Sequence, residues 1–133
     1  MFSFFTAKQA NNALPDVIKK FEYALAKKND ITKIEKELQI TISTTDSFEK
    51  YMQLKQQLNS AITKFYQSIE ILESTGVMIK SIEQGLLDFP SKRFDQEVCL
   101  CWKHGETEIK FWHEKDSGFM GRKPIEVNDE SLI

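Results

Sequence analysis

His113 is the residue of this chain best suited to chemistry. An imidazole changes charge near neutral pH and is the commonest metal ligand among side chains. It closes the run Cys99-Leu-Cys-Trp-Lys-His-Gly-Glu-Thr-Glu-Ile-Lys-Phe-Trp-His113, which continues through Gly118-Phe-Met-Gly-Arg-Lys-Pro-Ile125. Together these stretches hold both tryptophans, both cysteines, both histidines and three of the five glycines. A metal ion at His113 needs convergent donors, and Asp88, Glu83, Glu106 and Asp116 are the carboxylates at hand. None stands at a ligand spacing such as His-x-x-x-His, so His113 is a lone candidate metal ligand without a motif. The other reading of His113 is a ring that hydrogen-bonds a loop carbonyl and holds the turn.

Arg122 is the second candidate. Gly118-Phe-Met-Gly-Arg122 offers two glycines and a guanidinium. Backbone N–H groups and Arg122 could meet a small anion there. Alternatively Arg122 pairs with Asp88, Asp116 or Glu106 as an internal brace. The stretch is not a P-loop, because the Lys-Ser/Thr ending and the strand–loop–helix order are missing. Cys99-x-Cys101 resembles half of a zinc site, but no second cysteine pair exists, so Cys101 reads as a small core residue. Trp102, Phe111 and Trp112 could stack a ring, although aromatic hairpins more commonly pack on helices. No Ser/His/Asp or Cys/His arrangement follows from spacing, and catalytic residues stay unassigned. The expected ligand-binding residues are His113, Arg122, Asp88, Glu106 and Trp112, with His113 the expected metal ligand if a divalent ion is bound.

Helices and a small sheet must position these groups. Thr6-Ala-Lys-Gln9 is a capping box with Phe5 ahead of it as a hydrophobic staple. Ala10, Leu14, Val17, Phe21 and Leu25 then recur at helical spacing, widened by Ile18 and Ala24. Pro15 inside this pattern predicts a kink near Asn11 and Asn12 or a second start. Lys27-Lys-Asn-Asp30 is expected to close the helix, with Asp30 capping another that carries Ile31, Ile34 and Leu38. Thr41-Ile-Ser-Thr-Thr-Asp-Ser47 is β-branched and cap-rich, and predicts a loop or helix break. Beyond it, Phe48, Tyr51, Leu58, Ile62, Phe65, Ile69 and Leu72 alternate three- and four-residue steps. Lys55 is the one slot that is not apolar. That is the narrow seam of a helix packed on other helices, ended by Gly76.

After Gly76 the period changes to two. Val77–Ile82 predicts a strand, Gly85 a break, and Leu86-Leu-Asp-Phe-Pro90 a short apolar segment stopped by proline. Val98–Trp102 and Glu108–His113 predict strands joined by a hairpin loop with Gly105 available for positive φ. Cys99 and Cys101 then share one face, opposite Val98, Leu100 and Trp102. In the return strand Ile109, Phe111 and His113 share a face, opposite Lys110 and Trp112. Asp116-Ser-Gly-Phe-Met-Gly121 reads as a turn-rich loop, and the tail after Ile125 as acidic and frayed.

At these residues the chain resembles an uncharacterised family, domain of unknown function 2203. The match is carried by Phe5-Thr6 with Ala10-Asn11 and Leu14-Pro15, and by Gly85-Leu-Leu-Asp-Phe-Pro90. It continues in Leu100-Cys-Trp with Gly105-Glu106, and in Trp112-His113 with Gly118-Phe, Gly121-Arg122 and Pro124-Ile125. Residues 26–75 match only as generic helix. The resemblance implies a helical hairpin with a small sheet and implies no activity. His104 and Cys99 depart from the family pattern, which argues against a site built around either, and 41–47 is less helical than the pattern.

Composition sets the outer bounds. With 133 residues the chain is long enough to bury roughly two-thirds of its unfolded surface as one domain. A net charge of -2 lacks the basic footprint of duplex binding, so no nucleic acid is expected. No apolar run approaches the ~18 residues of a membrane span. Met1-Phe-Ser-Phe-Phe has neither the basic start nor the cleavage site of a signal peptide, and its phenylalanines are expected to pack on the fold. Two cysteines two apart in one strand make a poor disulfide, which fits a reducing cytoplasm. The expected architecture is α+β, a single domain spanning 1–133. A long antiparallel helical hairpin or bundle (6–75) packs with a small C-terminal antiparallel β-sheet (76–125), followed by the acidic tail (126–133). The leading functional expectation is a non-enzymatic binding or interaction module. It has a polar pocket around Asp88, Glu106, His113 and Arg122, takes a small anionic ligand, and forms a homodimer through the helices. The alternative is a small metal-assisted hydrolase, with a divalent metal at His113 and Arg122 holding an anionic group.

Overall fold

The computed structural model describes residues 4–44 and 47–126. Two long helices, α1 (Ala7–Thr44) and α2 (Phe48–Glu73), form a hairpin. A five-stranded antiparallel sheet follows in sequential order: β1 (Met78–Ser81), β2 (Leu86–Arg93), β3 (Gln96–Lys103), β4 (Phe111–Glu114) and β5 (Lys123–Pro124). The fold class is therefore α+β, as the change of period at Gly76 predicts.

The capping box forms at the start of α1. The Thr6 N–H donates to Gln9 Oε1 at 3.0 Å and the Gln9 N–H to Thr6 Oγ1 at 3.1 Å. Phe5 places its ring edge-on to Phe89, 5.2 Å between centroids. Ala10, Leu14, Val17, Phe21 and Ala24 are the buried stripe. Two expected interruptions are absent. The helix passes Pro15 without a second start: the proline is exposed, and its cost is one backbone bond and a crowded Asn11 carbonyl. It also runs through Lys27–Asp30, which contains neither glycine nor proline. There Lys27 pairs with Asp30 at 3.6 Å and the Thr32 hydroxyl donates to the Lys28 carbonyl at 3.3 Å, so the polar groups decorate a helix instead of ending it. The break falls after Thr44, and Ser47 caps α2 by accepting the Lys50 N–H at 3.2 Å.

The seam of α2 differs from the expected one by a single residue at every second step. Leu54, Ala61, Ser68 and Leu72 are buried, whereas Phe48 is 72% exposed. Tyr51, Leu58 and Phe65 stay half-buried beside them. The small Ala61 and Ser68 are buried at the steps where the spacing predicts their large neighbours, Ile62 and Ile69. Lys55 is thus no gap in the seam, because Leu54 fills that slot. Past the C-cap at Ser74, Gly76 adopts φ +97° and sends the chain into the sheet.

Leu87, Phe89, Val98, Leu100, Trp102 and Trp112 join the α1 stripe, Leu72 and Val77 in one core, with Phe21 meeting Trp102 edge-on at 5.2 Å. Pro90 does not stop its strand as expected; it sits inside β2 opposite Cys99. A residue's N–H and C=O point to the same edge of a strand, and the Pro90 carbonyl accepts the Phe5 N–H at 2.7 Å. The missing donor therefore faces the edge where β1 has already ended, and the β2–β3 ladder is intact. The β2–β3 hairpin turns on Phe94 and Asp95, both at positive φ (50° and 66°), without the glycine that would have announced it. The return strand starts at Phe111 instead of Glu108, because Asn11 takes the Ile109 backbone. Its Oδ1 accepts the Ile109 N–H at 2.6 Å, and its Nδ2 donates to the Ile109 carbonyl at 3.4 Å. Ile109 consequently turns into the core, away from the face of His113. The expected fraying beyond Glu126 and the placement of residues 1–3 lie outside the described residues.

Candidate functional site

Strand alternation that sends Leu87 and Phe89 toward the helices sends Asp88 to the opposite face. Register then sets Asp88 beside Cys101 and Cys99 beside His113. This back face is polar and still closed: Asp88 is 2% exposed, Cys99 and Cys101 2%, and His113 1%. A cavity of 220 Å³ opens onto it, lined by Lys80, Leu86, Asp88, Cys101, His113 and, from the loop after β4, Asp116 and Phe119 among others.

Hydrogen bonding fixes the protons of His113. Nδ1 lies 2.7 Å from the Glu114 carbonyl oxygen, which can only accept, so Nδ1 carries a hydrogen. Nε2 lies 3.0 Å from Asp88 Oδ1, and one proton must be shared across that contact. The second carboxylate oxygen, Oδ2, is 3.9 Å from the Lys80 ammonium. Both thiols are held neutral near pH 7. Burial, reinforced by the charge of Asp88, pushes Cys99 up to about 11. Burial pushes Cys101 up to about 11 as well, against the opposing pull of Arg122. Neither is a ready nucleophile in this state. Asp88, Cys101 and His113 are the one trio of metal-ligating side chain types that converges among the described residues, their donor atoms within 4.8 Å of one another.

Arg122 is engaged elsewhere. Its Nη2 donates to both carboxylate oxygens of Glu106 at 2.9 Å, and its guanidinium lies 3.9 Å from the Phe111 ring centroid and 4.7 Å from that of Phe119. Glu106 also accepts the Lys103 N–H at 2.6 Å, and its own carbonyl accepts Trp102 Nε1–H at 2.9 Å. Arg122 thus ties the 103–107 loop to the 118–122 turn, the brace rather than the anion clamp. The brace borders the pocket through Phe119, which touches both.

Of the expected residues, His113 and Asp88 come together. Glu106 and Arg122 pair beside them, and Trp112 faces the helices on the other side of the sheet. Glu83 pairs with Lys28 at 3.1 Å, away from the pocket, and Asp116 lines its wall. His104 lays its ring on Phe21 at 5.0 Å and Trp102 at 5.9 Å. Sequence reasoning missed Cys101 and Lys80 as pocket residues. The parity of Cys101 within its strand was readable, but joining it to His113 required the β3–β4 register.

Fold and site together define a class: an α+β domain whose helical hairpin packs on one face of an antiparallel meander, with Asp88 and His113 buried behind the other. The chain belongs to the family described as uncharacterized conserved protein (DUF2203), which matches residues 3–125. Comparison with curated proteins and with solved structures gives no match. No helix among the described residues is long and apolar enough to cross a membrane.

Proposed function

We propose that this domain is a non-enzymatic binding module that holds a small polar ligand in the pocket behind β2, β3 and β4. One observation carries the reading. The Asp88–His113 pair, each almost wholly buried, borders a cavity whose wall carries Lys80, Lys115 and Asp116 beside Leu86 and Phe119. A buried ionisable pair stabilises a fold no better than apolar residues of the same volume, so stability alone does not account for it. Lys80 and Lys115 are the cations on the cavity wall. Lys115 is paired with Glu97 at 3.0 Å, so Lys80, only 3.9 Å from Asp88, is the one that would meet an anionic ligand, a role that Arg122 is less free to take because Glu106 occupies it. The same engagement weighs against a metal-assisted hydrolase built on His113 and Arg122, since an anionic substrate would have to displace Glu106.

The helical hairpin is the scaffold in this reading. Ile40, Ile42, Phe48 and Met52, all exposed near its far end, support self-association into a homodimer through the helices. Free, buried cysteines fit a reducing cytoplasm. A thermal-shift panel of small anions and metal ions, run on the native chain and on Asp88→Asn, tests the pocket. A ligand should raise the Tm of the native chain and not that of the variant; ligands that shift both equally would place binding elsewhere. Equilibrium ultracentrifugation tests the dimer, and a strictly monomeric chain at high concentration removes it.

A further inference from the structure

We infer that the pocket is a metal site, in which Asp88 Oδ1, Cys101 Sγ and His113 Nε2 ligate one divalent ion of zinc-like softness and leave a coordination position open to the cavity. The inference rests on the binding-module reading and names its ligand. Each donor comes from the interior of a different strand, β2, β3 or β4, so the sheet itself holds the geometry. Donors bound tetrahedrally at about 2.0–2.3 Å lie roughly 3.3–3.7 Å from one another. Asp88 Oδ1 and His113 Nε2, at 3.0 Å, already stand near that spacing. With all three donors within 4.8 Å, a modest rotation of the Cys101 side chain brings its sulfur into reach.

The surroundings of the trio have the features a metal requires. The Glu114 carbonyl takes the Nδ1 hydrogen of His113, which leaves Nε2 as the inward nitrogen, and the ion would displace the proton that Nε2 shares with Asp88; metal-bound histidines are oriented in this way by an acceptor on the other nitrogen. The Lys80 ammonium approaches Oδ2 of Asp88 and leaves Oδ1 for the ion. A carboxylate and a thiolate together cancel the charge of a divalent cation, so the loaded cluster is neutral in its closed surroundings. One sulfur and one imidazole favour zinc, cobalt or copper over magnesium and calcium, which take oxygen cages. Three protein ligands beside a 220 Å³ cavity leave room for a water or a small ligand as the fourth.

Cobalt(II) titration of the full, reduced, chelator-stripped chain tests this, followed by displacement with zinc(II). The expected result is a single equivalent with a thiolate-to-cobalt charge-transfer band that zinc abolishes. Cys101→Ser, nearly isosteric and checked for folding by circular dichroism, should lose the band and weaken zinc by about 100-fold or more, as loss of a ligand exceeds the 10–100-fold typical of its supports. Cys99→Ser should retain both. A folded native chain with only trace uptake overturns the inference, and so does binding that Cys101→Ser leaves unchanged or that depends on Cys99 instead. If metal uptake fails while an organic anion still raises the Tm in the native chain and not in Asp88→Asn, only the identity of the ligand falls. If neither binds, the pocket reading falls with it.

Discussion

Both faces of the five-stranded sheet are buried, and they are buried for different reasons. Toward the helices, Leu87, Phe89, Leu100, Trp102 and Trp112 close on Leu14, Val17 and Phe21. Removing such side chains from water contributes roughly 1.5–3 kcal/mol apiece, which suffices to explain why they are there. On the other face Asp88, Cys99, Cys101 and His113 are as inaccessible, yet the neighbouring 115–119 loop supplies a single apolar side chain, Phe119. Transfer energy explains the first face and, on the second, the neutral thiols, but not the Asp88–His113 pair. The contrast separates what holds the fold together from what the fold holds.

Substitutions on the two faces should therefore behave differently. The largest loss is expected for Trp102→Ala, about 3–5 kcal/mol by chemical denaturation, from the cavity it leaves in the core. On the back face, His113→Leu alone should cost about 3 kcal/mol by stranding the Asp88 carboxylate in a closed site. Adding Asp88→Leu should recover most of that loss, whereas two truncations on the apolar face that do not touch each other should simply add. A double variant as unstable as the sum of its singles would erase the distinction. Arg122→Ala should cost about 1–2 kcal/mol, less than His113→Leu because Glu106 is partly exposed and rehydrates. Lysine at 122 should not restore it, since an ammonium cannot lie flat between Phe111 and Phe119.

A smaller effect is expected in alkali. In the metal-free chain the folded thiols hold their protons to about 11, above the ordinary value of 9.0. The unfolded chain loses those protons first, so the stabilisation is complete below pH 9 and is lost as pH rises toward 11. Tm measured across that window should fall more steeply for the native chain than for Cys99→Ala/Cys101→Ala. Smallest of all, Phe48→Ser should change stability by no more than about 0.5 kcal/mol, the side chain being exposed.

Local signals in the sequence foretold local structure. The Thr6–Gln9 capping box, the stripe from Ala10 to Phe21 and the switch to period two after Gly76 each depend on residues within one or two turns of each other and form as read, except that the stripe ends on buried Ala24 with Leu25 half-buried. The seam of α2 was harder to read. Burial of Ala61 and Ser68 is set by how closely α1 approaches, which side-chain size alone does not report. Pro90 misled for a related reason, as a proline is harmful only on a paired edge, and Phe5 rather than β1 faces it. For the site, His113 and Asp88 were legible as residue types. Their partnership with Cys101 depends on the register across three strands, and the β2–β3 turn at Phe94–Asp95 that sets part of it carries no glycine signal. Arg122 and Glu106 likewise meet through a loop closure that spacing does not encode.

Zinc uptake by the double variant Asp88→Leu/His113→Leu is the most direct measurement of whether the back face is a site or merely a second core. Folded and close to the native chain in stability, the variant should bind no zinc while the native chain takes one equivalent. A folded variant that still binds zinc as the native chain does would contradict a site at Asp88, Cys101 and His113.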